Sequence, residues 1–268
     1  MRYLFSISYL GTRYHGWQTQ ANAKGVQQVM EDAMSKILRK KIGIVGSGRT
    51  DTGVHCQRQY FHVDLPEPVN GKALIQNLNA FLPKDIAIHS IQKIHPEASA
   101  RYDAIQRSYR YIITRKKDPL LMGLGWHFFK PLDLPTMNRA AALLLGVHDF
   151  ECFSKVKTDV NHFLCTVKKA KWTTKNDLLL FDISANRFLR GMVRAIVGTL
   201  VDVGTGKISL KEFELILKSK DRKRAGMNVL ADGLYLMDVK YPKKIFDLTP
   251  ARPAGGPGPS PGRRGVPL

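Results

Sequence analysis

The chain opens with RYLFSISYL, in which apolar and polar positions alternate as they do in a half-buried strand. A Gly-containing turn region, GTRYHGW, follows. From Val26 the apolar residues recur at 26, 29, 30, 33, 34, 37 and 38, a helical stripe several turns long. KIGIV (41–45) reads as a strand, then comes the polar GSGRTDTG, and QRQYFHVDL (57–65) alternates again. GKALIQNLNAFL (71–82) has a helical pattern stopped by Pro83, and DIAIHSIQKI (85–94) reads as a strand. The order so far is β-α-β-β-α-β.

The second half repeats this order more loosely. RSYRYIITR (107–115) reads as a strand, and DLPTMNRAAALLLG (133–146) as a helix with a Gly stop. Residues 163–185 read as a hairpin turning at Asn176 and Asp177. Helices are expected over 188–203 and 209–219, and a last strand over 233–241. A split β-α-β-β-α-β unit is the ferredoxin-like motif. Two of them predict a duplicated α+β fold, with a mostly antiparallel sheet, helices on one face and a basic cleft between the halves. The expected boundaries are 1–105 for the first half and 106–249 for the second. Residues 250–268 contain six Pro and five Gly in nineteen positions, a composition that predicts a disordered tail foreign to the chain before it.

Composition narrows the class. Hydrophobic residues make up 44% of the 268, enough for a core. No apolar run reaches the ~18 residues of a membrane span, and the first strand lacks the apolar region and cleavage site of a signal peptide. Cys56, Cys152 and Cys165 are far apart and form no CxxC pair, so a reducing, cytoplasmic setting is expected, with neither disulfides nor a zinc site. The eight histidines show no H-x₃-H or H-E-x-x-H spacing, and no metal is expected. The formal net charge is +20, from 42 Lys+Arg against 22 Asp+Glu. The tail contributes only three arginines to this excess, so the basic character belongs to the foldable part. A folded chain so charged calls for a polyanion, with RNA or DNA first.

Three segments carry candidate chemistry. GSGRTDTGVH (46–55) joins two expected strands and places Asp51 two residues from Arg49. A carboxylate beside a guanidinium stays ionised and can act as nucleophile or base. The same loop read blandly is an Asp/Thr turn capping its own amides, and from spacing alone that reading is the commoner one. An aspartic-protease site would need a second D-T-G, and none occurs. In ANRFLRGMVRAIVGTL, Arg187, Arg190 and Arg194 are spaced i, i+3, i+7 and would share one helix face, with Leu189, Val193, Ile196, Val197, Leu200 and Val201 on the other. No acid lies among them, which suits phosphate binding rather than a solvated, ion-paired face. In QRSYRYIITR, Tyr109 and Tyr111 would share one strand face and Arg110 the other, and rings interleaved with cations can stack on bases.

Taken together, the blocks resemble a known family. GSGRTDTGVHCQRQYFHVD is similar to the signature loop of TruA-type tRNA pseudouridine synthases. YLGTRYHGWQ, GVQQVMEDAM, NLNAFLPKDIAI, ASARYDAIQRSYRYII, LLLGVHDFECF, FDISANRFLRGMVRAIVGTLVDVGTGK and GLYLMDVKYP agree in order, so the resemblance covers nearly all of residues 2–242. It implies isomerisation of uridine to pseudouridine at positions 38, 39 and 40 of the tRNA anticodon stem-loop, without cofactor or metal. It places the catalytic aspartate at Asp51, its arginine partner at Arg49, an active-site tyrosine at Tyr109 and a second active-site arginine at Arg194. It also implies a homodimer holding one tRNA across two subunits. Arg187 and Arg190 are further RNA-binding candidates on the arginine stripe.

The chain departs from the family pattern at Leu10, where Asp is common, and at Thr52, where Ala is common. It also departs at Lys168 in the T-x-R element, and at Val229-Leu230-Ala231, where A-P-A is expected. None of these departures falls on one of the four site residues. A non-catalytic RNA-binding module on the same fold is the rival reading. Asp51 beside Arg49 argues against it, because a pure binder has no use for that pair.

Overall fold

The computed structural model describes residues 1–155 and 160–248. The expected tail, 250–268, lies outside the described residues. The architecture is α+β: five helices, among the described residues, accompany one mixed and largely antiparallel open sheet.

In the first half, β1 (Arg2–Tyr9) pairs antiparallel with β3 (His55–Asp64) and β4 (Ile86–Lys93). Helix α1 (Val26–Ile37) buries Val26, Val29, Met30, Ala33 and Met34, the stripe its sequence predicts. Helix α2 (Gly71–Phe81) begins where the Asn70 side chain accepts a hydrogen bond from the Ala73 amide, and packs against β4. The strand expected at 41–45 shrinks to β2 (Val45–Gly46). Ile42 and Ile44 are buried as alternation requires, but α1 takes over their backbone. Ser35 Oγ and Glu31 Oε1 accept from the Ile42 and Ile44 amides, and Gln27 Nε2 donates to the Ile44 carbonyl. With these groups satisfied by side chains, no ladder is required there.

In the second half, β5 (Gln106–Thr114) pairs with β9 (Leu178–Ala185), which continues to β8 (Leu164–Lys175) and the edge strand β7 (Gly146–Asp149). The two-residue β6 (Trp126–His127) runs parallel to β5. The β8–β9 hairpin turns at Asn176 and Asp177 as expected, with Asn176 at φ 53°. Helix α3 (Leu134–Ala142), capped by Asp133, stops short of Gly146. Helices α4 (Met192–Gly204) and α5 (Leu210–Lys218) follow, the latter opened by a reciprocal Ser209–Glu212 capping box.

The last strand, β10 (Leu234–Lys240), lies in the middle of the sheet. The strand order is β4-β1-β3-β10-β5-β9-β8-β7. β10 runs antiparallel to β5 and parallel to β3 over two residue pairs, Tyr235–His55 and Leu236–Cys56. One core gathers α1, α2 and the strands β1, β3, β4 and β10, and the other gathers α3–α5 and β5, β8 and β9. Tyr109 packs against both. The three cysteines are buried free thiols. No helix among the described residues is long and apolar enough to cross a membrane.

Candidate functional site

Residues 46–55 lie where the two cores meet, and neighbours hold the loop along its length. The Ser47 amide donates to the Tyr60 carbonyl, and the Trp17 amide donates to the Thr50 carbonyl. A buried side-chain network continues inward. Tyr9 Oη donates to Gln59 Oε1 at 2.8 Å and lies 2.8 Å from Thr50 Oγ1, while Gln59 Nε2 donates to the Gly48 carbonyl. Burial raises the Tyr9 pKa well above its ordinary value, so the phenol keeps its proton and bridges two partners. At Gly16, φ is +81° and a Cβ would stand 2.3 Å from the Thr50 carbonyl, so only glycine lets this segment close on the loop. At the far end His55 is fully buried: Nδ1 accepts from the Gly11 amide at 3.0 Å and Nε2 lies 2.9 Å from the Gly123 carbonyl.

Asp51 opens the turn of this loop, which is closed by the Val54 amide donating to the Asp51 carbonyl. Its side chain is one-third exposed. The guanidinium that faces it is not that of Arg49. Arg190 Nε stands 3.9 Å from Asp51 Oδ1, an ion pair without hydrogen-bond contact. Arg49 Nε donates instead to Gln18 Oε1 at 3.1 Å. The expected Arg49–Asp51 pairing is therefore corrected. Arg49 is taken up by Gln18, and the cation near Asp51 comes from the segment before α4.

The arginine stripe is also corrected. Helix α4 begins at Met192, so Arg187 and Arg190 stand in the irregular approach to it. Gly191, at φ +72°, separates that approach from the helix. Asn186 Oδ1 accepts from the Thr166 and Arg187 amides, and the Arg190 carbonyl accepts from the Lys155 amide. Arg187 Nη1 lies 3.4 Å from His162 Nε2. Arg194, inside the helix, is half-buried, and its Nε donates to the Val229 carbonyl. Beside that bond the Tyr111 hydroxyl donates to the Leu230 carbonyl at 2.8 Å. Thus Arg194 holds the segment before β10, close behind the loop, where Gly53 faces Ala231.

Tyr109 and Tyr111 share a face of β5 as expected. Tyr111 is fully buried, whereas Tyr109 is half-buried and meets the Phe188 ring edge-on, centroids 5.1 Å apart. Burial first, and the charge of Asp51 second, push the Tyr109 pKa well up, and Arg107 opposes this. Its phenol stays protonated within the electrostatic reach of Asp51. Arg110, on the other face, forms a two-pronged pair with Asp182 at 2.8 and 3.1 Å and belongs to the sheet's support.

Sequence reasoning passed over Arg107. Its Nη1 donates to the carbonyls of Ala104 and Asn186, and its Nη2 to those of Ser47 and Arg101. One half-buried guanidinium thus ties the Asp51 loop, the turn before β5 and the segment leading to Arg190. Burial lowers its pKa from the ordinary arginine value, with Arg187 and Arg101 adding to this. A cation among aromatics was visible in QRSYRY, but two of its carbonyl partners, Ser47 and Asn186, lie far along the chain.

A family model described as tRNA pseudouridine synthase matches residues 6–103 and 140–242. The chain is 47% identical over 249 residues to tRNA pseudouridine synthase A of Porphyromonas gingivalis, covering 91% of this chain and 99% of that protein. It is 44% identical to tRNA pseudouridine synthase A of Parabacteroides distasonis, over 91% and 98% of the two chains. The protein of that name from a Thermoanaerobacter species is 38% identical, over 88% and 97%.

Proposed function

Because this chain belongs to the tRNA pseudouridine synthase family, isomerases of tRNA uridine, we propose that it converts uridine to pseudouridine at positions 38, 39 and 40 of the anticodon stem-loop, with Asp51 as the catalytic carboxylate. The observation that carries this reading is the Asp51 loop itself. A one-third exposed carboxylate sits on a loop whose backbone is held by Gln59 and Arg107 and whose Thr50 and His55 side chains are held by Tyr9 and Gly11; it faces Arg190 and has the protonated phenol of Tyr109 nearby. A turn cap would need none of that support.

The reaction is a rearrangement within one nucleotide. The N1–C1′ bond breaks, the uracil turns, C5 bonds to C1′, the C5 proton leaves and N1 takes one up. Nothing is oxidised or reduced, so the isomerisation requires a base and a charged pocket rather than an outside reagent. Asp51 attacks the nucleotide or removes a proton from it. Tyr109 stacks on the extruded uracil and takes part in moving the C5 proton. Arg190 compensates charge on Asp51, Arg190, Arg49 and Arg187 meet the nucleotide's phosphates, and Arg194 holds the Val229 carbonyl behind the loop.

The same reading takes the strand orders β4-β1-β3-β2 and β10-β5-β9-β8 as two ferredoxin-like halves, with a basic cleft at their junction. It makes the enzyme a cytoplasmic homodimer holding one tRNA across two subunits. The test is incubation with unmodified tRNA transcripts and position-resolved mapping of pseudouridine. New pseudouridine at 38–40 is expected, and unmodified product would overturn the reading.

A further inference from the structure

Residues 98–103 form a turn fixed from several sides. The Ala100 amide donates to His62 Nδ1 at 3.0 Å, and its carbonyl accepts from the Tyr241 hydroxyl at 2.6 Å. The Ser99 amide donates to Asp103 Oδ2, while the Asp103 amide donates back to the Ser99 carbonyl. From this rigid turn the Tyr102 side chain projects into solvent, 79% exposed, with the Arg101 guanidinium 5.4 Å from its ring centroid. A single exposed ring is ordinary on a protein surface. Its place here is not: the Arg101 carbonyl shares Arg107 Nη2 with the Ser47 carbonyl, each at 3.0 Å, while Asn186 sits on Nη1. The turn therefore borders both the Asp51 loop and the arginine segment.

We propose that Tyr102 and Arg101 form a stacking platform for an unpaired base of the RNA strand next to the uridine at Asp51. The ring offers a flat apolar face, the guanidinium a second plane and a positive charge for the adjoining phosphate, and the pinned turn holds both without ordering cost on binding. The platform rests on the reading of Asp51 as the reaction centre.

The test compares wild type, Tyr102→Ala, Tyr102→Phe and Arg101→Ala on an unmodified tRNA transcript, with Kd, KM, kcat and the salt dependence of Kd all measured. Tyr102→Ala should raise Kd and KM about 10-fold, toward the low end of what one base–ring stack contributes, with kcat lowered less than about twofold. The slope of log Kd against log salt should stay unchanged, since no cation is lost. Tyr102→Phe should restore affinity to within about twofold of wild type. Arg101→Ala should reduce that slope by about 1. Wild-type affinity in Tyr102→Ala overturns the platform, as does a Phe variant as weak as the Ala variant. An unaltered melting temperature in Tyr102→Ala separates lost contact from lost fold. A wild-type protein that makes no pseudouridine overturns the function itself, whereas an active wild type matched by Tyr102→Ala overturns the platform alone.

Discussion

The two sides of the candidate site are built differently. The Asp51 loop is braced by a buried phenol, a buried amide, a fully buried histidine and a half-buried guanidinium. The segment opposite, 186–191, is anchored by Asn186, the Arg190 carbonyl and the buried Leu189, but its Arg190 side chain is 62% exposed and 3.9 Å from Asp51. On the proposed reading, carboxylate geometry is set before substrate arrives, whereas the exposed cation can turn from Asp51 to an incoming phosphate. Preorganisation is invested where bond-making needs it, and latitude is kept where a large anion must enter.

Asp51→Asn breaks this comparison most sharply. The amide keeps the shape and accepts loop hydrogen bonds, but loses the charge. Pseudouridine formation should fall by about 10³-fold or more, with tRNA binding and melting temperature near wild type. A folded variant with near-normal activity would reduce the residue to a turn cap, since Asn and Asp are alike in that role.

Arg107→Met tests whether bracing matters. It leaves four carbonyls without their donor and frees the loop from the opposite segment. Turnover should drop by about 10²-fold, as an ångström of misplacement can cost. Stability should fall by about 3 kcal/mol, read as a melting temperature lower by about 6–12 °C. An unaffected rate would show that the loop holds its shape without this tie.

The exposed side should respond more mildly. Arg190→Ala is expected to lower kcat about 10-fold, because an ion pair without hydrogen-bond contact contributes modestly. Arg194→Ala should act through the Val229 carbonyl it holds and lower turnover more than binding. Arg187→Ala should weaken tRNA binding less than about threefold and spare kcat. Equal and small effects at all three would return the segment to a solvated face.

Much of this arrangement was legible in the chain. The Gly-rich loop between two strands and the β5 face of Tyr109 came from local patterning, which local structure obeys. The start of α4 did not, because Leu189 is buried in the same core as Val193 and Ile196. The apolar period therefore runs past Gly191 although the helix does not. The Arg190 partner of Asp51 and two of the four acceptors of Arg107, Ser47 and Asn186, lie far away in sequence, and the fold brings them together. Where α1 side chains replaced a ladder at Ile42 and Ile44, alternation correctly marked burial and wrongly suggested a strand.

The smallest expected effect concerns pH. Burial lowers the pKa of His55, with the Gly123 carbonyl and Asp232 opposing, and burial with Arg2 lowers that of His62, with Asp64 opposing. Both are neutral in the native state. The unfolded chain takes up protons as pH falls through about 6.5, so this stability is complete above that value and is lost below it, toward the depressed native values. The melting temperature should therefore decline between pH 7 and pH 5. His55→Gln should flatten the decline, and an equally steep one would assign it to other groups.

The position of β10 has a consequence for synthesis. Among the described residues, strands β3 and β5 are joined in the sheet through β10, residues 234–240, which follows both in the chain by more than a hundred positions. On the proposed division, a nascent chain still lacking β10 has two halves, each with an open strand edge, with Tyr109 and Asp51 in different ones and Arg107 reaching between them. Completion of the enzyme is thus expected late in translation: a message truncated before codon 234 should yield a product with every proposed catalytic side chain and a sheet lacking the strand that joins them.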